Sequence, residues 1–158
     1  MDNNFKSPHS HQPYIERRQL LEKLSLATRH KLTLIIAPPG YGKTTLVSQY
    51  IQTADIPIAW QTLEKQDQDL PNLFEHALDA LSQVVPNIGR LNGTRITVRE
   101  HAATTTDYLR KNVSTDFLYV IDDVHQLLDS KGALIWLKTF IATIPSTCHL
   151  ILIGQAIP

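Results

Sequence analysis

The chain has 158 residues, with fifteen Lys and Arg against fifteen Asp and Glu, no net charge at pH 7 and 42% hydrophobic residues. That length fits one domain large enough for a buried core, and the balanced charge without a long basic run argues against direct nucleic-acid binding by these residues. A lone Cys148 excludes an internal disulfide, no secretory core opens the sequence, and apolar runs such as 117–121 are strand-sized, so a cytoplasmic protein without membrane insertion is expected.

Residues 1–13, with Ser7, Pro8, Ser10 and Pro13, read as a flexible tail, and 14–158 as the domain. The seven histidines, His9, His11, His30, His76, His101, His125 and His149, lack the Cys/His spacing of a zinc site. Ile15, Leu20, Leu21 and Leu24 fall near helical spacing between charges, predicting a short amphipathic helix. Residues 31–37 are mostly apolar, as in a strand covered on both faces of a parallel sheet. A helix follows from about Gly42, with Leu46, Val47, Tyr50 and Ile51 on one face. Residues 58–63 predict a second strand and 64–69 a polar connection; from Pro71 to about Val84 a helix carries Leu73, Phe74, Ala77, Leu78 and Leu81. Residues 86–99 read as loop. A helix over 100–113 is expected to pack through Ala102, Ala103, Tyr108 and Leu109. Residues 117–123 predict a buried strand ending in two acids, 133–144 a helix, and 149–154 the last strand.

Between the first strand and its helix stands Ala37-Pro38-Pro39-Gly40-Tyr41-Gly42-Lys43-Thr44-Thr45, the phosphate-loop pattern G-x-x-x-x-G-K-[ST] with Ala in its first position. Gly40 and Gly42 let successive N–H groups turn inward around a phosphate, and the helix N-terminus favours an anion there. Pro39, Gly40, Tyr41, Gly42, Lys43, Thr44 and Thr45 are thus the candidate nucleotide-binding residues. Lys43 suits the β and γ phosphates of ATP, and Thr44 suits Mg2+. Alternation of strands and helices implies parallel pairing, which brings the loop and Asp122 to one rim of the sheet. There Asp122 is the second candidate Mg2+ ligand, Asp123 the candidate catalytic group that orients or deprotonates water, and His125 a candidate neighbour of the γ-phosphate. Alternatively, both acids end a strand and cap its turn.

The sequence resembles the nucleotide-binding domain of STAND-class P-loop ATPases, in particular the MalT-like bacterial transcriptional activators. The residues concerned are 14–21, the 37–46 segment, Trp60-Gln61-Thr62-Leu63-Glu64-Lys65-Gln66-Asp67, and Val120-Ile121-Asp122-Asp123-Val124-His125. The resemblance implies a three-layer αβα sandwich with a mostly parallel sheet, and an ATP/ADP switch coupled to self-association, with DNA binding in a separate module. It also implies that strand four lies between strands one and three. The sheet is expected to stop after its fourth core strand, leaving strand one as an open edge able to dimerise through Ile35 and Ile36. Relatives often carry Arg after the fourth strand, where Gly154 and Gln155 stand here, so slow or absent hydrolysis is expected. The rival functions are a small-molecule kinase using Arg90, Arg95 and Arg99 as its clamp, and a non-catalytic interaction module. The residues around Tyr14 and Ile15 do not separate ATP from GTP.

Overall fold

Four runs rich in branched and aromatic residues form β1 (Leu32–Ile36), β2 (Ile58–Thr62), β3 (Phe117–Asp122) and β4 (Cys148–Gly154) in a computed structural model that describes residues 17–91 and 96–156. The N-terminal tail, residues 14–16 and Arg95 lie outside the described residues. The strands pair in parallel in the order β1-β4-β3-β2, with the fourth strand between the first and third as expected.

Alternation along the strands sorts the core onto two faces. Phe117, Tyr119 and Ile121 with Cys148, Leu150 and Leu152 face α3 (Leu70–Ser82), α4 (Val98–Asn112) and α5 (Lys131–Thr143). Leu118, Val120, Ile151 and Ile153 face α1 (Arg18–Leu24) and α2 (Lys43–Ile51). This is the αβα sandwich, and burial on both faces explains the apolar runs 117–121 of β3 and 150–153 of β4. Burial also pushes the Cys148 thiol up to about 12, so it stays a neutral core group.

Three features differ from the sequence expectations. The 86–99 loop contains a 3-10 turn over Ile88–Leu91 with Ile88 buried, and α4 begins at Val98, because Thr97 and Glu100 form a reciprocal capping box. The 64–69 connection is a 3-10 turn (Lys65–Gln68) around a fully buried Asp67. The packed face of α4 is largely polar: His101, Thr105 and Thr106 are buried with Ala102 and Leu109, while Ala103 is exposed. Thr105 donates to the His101 carbonyl and Thr106 to the Ala103 carbonyl and the Thr143 hydroxyl, so these groups enter the core already satisfied.

At the open edges, β1 pairs with β4 alone and β2 with β3 alone among the described residues. On β1 Leu34 is exposed, whereas Ile35 packs against the α2 side and Ile36 is half-buried.

Candidate functional site

Parallel pairing puts every strand's carboxyl end on one rim. Ile36 ends β1 beside Gly154 of β4, and Asp122 ends β3 beside Thr62 of β2. Ala37 continues the ladder by donating to the Gly154 carbonyl, and the chain then turns through Gly40 at φ +78° and Gly42 at φ +72° into α2. Both glycines are required by the backbone and not by crowding, since a Cβ at either would meet nothing within 4 Å. A turn of this kind with open space beside it fits a phosphate.

Lys43 lies at the first position of α2 and folds its ammonium back over the loop, donating to the Ala37 carbonyl at 2.7 Å and the Pro38 carbonyl at 3.0 Å. Thr44 donates its hydroxyl to Asp122 Oδ2 at 2.8 Å. The other Asp122 oxygen accepts from the Asp123 backbone N–H at 2.8 Å, and Asp123 itself has a left-handed backbone (φ 58°, ψ 37°). Burial pushes the Asp122 carboxyl above its ordinary range; the Thr44 hydroxyl opposes this, and the neighbouring Asp123 charge adds to it. A hard cation offsets that desolvation, and a hydroxyl beside a buried carboxylate is an oxygen donor set suited to Mg2+. Pro39 and Tyr41 are exposed and Thr45 half-buried, so of the loop residues named from the sequence the structure joins Lys43 and Thr44 to the rim most closely.

Beyond the acids, Val124–Leu127 forms a 3-10 turn. The Gln155 side-chain amide lies 3.1 Å from His125 Nε2, and His125 Nδ1 lies 3.7 Å from Asp123 Oδ1. The turn is pressed against the end of β4: a Cβ at Gly154 would lie 2.8 Å from Val124 Cγ2. Arg17 is a contact that sequence reading missed. Its guanidinium donates to the Tyr41 carbonyl at 3.0 Å, tying the residue before α1 to the loop 24 positions later, and no local pattern marks such a pair. Arg90 and Arg99 sit exposed on the α3 and α4 side of the sheet, on the layer opposite α2.

A family model described as an AAA domain matches residues 26–157. The HTH-type transcriptional regulator MalT from two Klebsiella pneumoniae strains is 25% identical over 148 residues, covering 91% of this chain; the chain spans 16% of the length of those relatives. In fold, the chain is similar to a Walker-type ATPase of Pyrococcus abyssi, with a TM-score of 0.56 and 14% identity over 89% of this chain and 45% of that one.

Proposed function

The chain belongs to the AAA domain family, and we propose that it binds ATP or ADP with Mg2+ at this rim. In this reading it hydrolyses ATP slowly or not at all alone and is the nucleotide-responsive part of a signal-transducing transcriptional activator. The observation that carries the reading is the hydrogen bond from Thr44 to Asp122, which links the residue after Lys43 in the glycine-bearing loop to the acid at the end of β3. The similarity to MalT supports the regulatory part.

The N–H groups of residues 40–45 cradle the phosphates, and Lys43 exchanges its two carbonyl contacts for phosphate oxygens. Thr44 and Asp122 would hold Mg2+, which when bound would neutralise charge on the nucleotide. Asp123 orients the attacking water and accepts its proton, and His125 lies alongside its carboxylate. Gln155 stands where an arginine would add a cation, and its amide is engaged with His125. An arginine contact of this kind is worth roughly 10³–10⁵ in rate, which is the reason for expecting binding without efficient turnover.

Self-association belongs to the same proposal, with β1 as the pairing edge and Leu34, 43% exposed, as its apolar contact. No membrane contact is assigned, and among the described residues no helix is long and apolar enough to cross a membrane.

Titration with ATP and ADP, with and without Mg2+, tests the binding; multiple-turnover phosphate release measures the hydrolysis. Phosphate transfer to an added metabolite would replace this reading with the kinase. Failure to bind either nucleotide would leave the interaction module.

A further inference from the structure

Between Gly40 and Gly42 the loop carries Tyr41, whose carbonyl accepts from the Arg17 guanidinium at 3.0 Å. We propose that Arg17 is a positioning residue for the phosphate cradle: by holding the Tyr41 carbonyl, it aims the Gly42 N–H at the α- and β-phosphates of a bound nucleotide. The inference rests on the reading of this loop as a nucleotide site.

The lever is the planarity of the peptide bond. Among the described residues no peptide bond is cis, so the Tyr41 carbonyl and the Gly42 N–H point to opposite sides of the chain. A donor that fixes the carbonyl on the Arg17 side therefore fixes the N–H on the other side, where a phosphate can meet it.

The peptide needs such a restraint. Gly40 and Gly42 hold left-handed backbone at φ +78° and +72°, and glycine takes positive and negative φ about equally well. Packing does not settle the choice either, since a Cβ at either glycine would meet nothing within 4 Å and Tyr41 is 58% exposed.

Arg17 is itself anchored. Its carbonyl accepts the Leu20 and Leu21 N–H groups at 2.9 and 3.0 Å, which makes it the N-cap of α1, and Leu24 and Ala27 are buried in one cluster with Val47 and Tyr50 of α2. Lys43 holds the Ala37 and Pro38 carbonyls by contacts that it gives up for phosphate oxygens in the proposed reading. Arg17 is engaged on a carbonyl facing away from the phosphate, so its contact persists when the site fills. A cradle set before binding lowers the ordering cost of capture.

The test compares isotope-labelled parent, Arg17→Gln and Arg17→Lys proteins, first without nucleotide through the Tyr41 carbonyl-carbon and Gly42 amide resonances, then by titration with Mg·ADP and Mg·ATP. In Arg17→Gln both resonances should shift or broaden while those of β3 and β4 stay in place, and affinity for ADP and ATP should fall by the same factor, roughly three- to tenfold. Arg17→Lys keeps a donor for the carbonyl and should recover part of both effects. Arg17 is exposed, so the thermal midpoint without nucleotide should stay within about a degree of the parent's. Unmoved Tyr41 and Gly42 resonances in Arg17→Gln, unchanged ADP affinity, or a loss confined to ATP would each overturn the proposal while leaving the nucleotide site standing. Failure of the parent to bind either nucleotide would instead defeat the reading of the loop, and this inference with it.

Discussion

The Thr44 hydroxyl donates to Asp122 Oδ2 over 2.8 Å, although 78 positions separate the two residues. One stands in the first turn of α2 and the other at the last position of β3; the order β1-β4-β3 leaves one strand between them, and parallel pairing brings both to the same rim. Asp122 is therefore held on one oxygen by a side chain from the phosphate loop and on the other by the next backbone amide.

Replacing Asp122 by Asn removes a buried charge while keeping its shape. Because the folded carboxyl is raised above its ordinary value, the group stabilises the fold most at pH below the unfolded value and loses that contribution as pH rises through the folded one. At neutral pH the ligand-free Asp122→Asn protein should melt no lower than the parent. Its ATP affinity should lose most of its dependence on Mg2+, by about tenfold or more, which titration in Mg2+ and in EDTA measures.

His101 sets an acid limit. Trp136 donates its indole N–H to His101 Nδ1 at 3.1 Å, Phe74 stacks on the ring at 3.7 Å, and burial lowers its pKa from 6.5 to about 4. A histidine buried neutral contributes stability that is fully present above its unfolded value and lost as pH falls toward the folded one. Unfolding free energy should drop by about 3 kcal/mol between pH 7 and pH 4 through this group, and His101→Phe should flatten that slope in urea titrations.

Much of the sheet is legible in the sequence. Residues 117–121 and 150–153 are apolar on both faces, and the placing of the glycine-lysine turn and Asp122 on one rim follows from the alternation of strands and helices. What stayed hidden are groups whose partners are distant. His101 reads as one of seven scattered histidines until Trp136 and Phe74 surround it, and Asp67 reads as one more acid in a polar stretch until its capping contact and His76 enclose it. Hydrophobic periodicity finds α4 but misses the polar part of its packed face for the same reason: Thr105 and Thr106 bury through hydrogen bonds, not through apolar surface.

Gly154 is where two segments of the rim meet. A methyl group there would stand 2.8 Å from Val124 Cγ2 and 3.2 Å from the Ala156 carbonyl, so Gly154→Ala should destabilise by about 1–3 kcal/mol. Adding Val124→Ala should recover part of the loss if the side-chain clash dominates, as a double-mutant cycle by chemical denaturation would read out.

Asp123 holds a left-handed backbone that Asn tolerates and Ala does not. Asp123→Asn should keep the parent stability and nucleotide affinity while lowering whatever phosphate release the parent shows. Asp123→Ala should in addition cost about 1–2 kcal/mol in the same denaturation assay.

Capture of a triphosphate by the 37–44 loop is tested most directly by thermal unfolding of the parent and of Lys43→Ala with and without Mg·ATP. Nucleotide at a hundred times its dissociation constant adds about 2.7 kcal/mol, so the parent midpoint should rise by roughly 5–10 °C and the variant's by little. An unchanged parent midpoint at millimolar Mg·ATP, or an equal rise in Lys43→Ala, would contradict it.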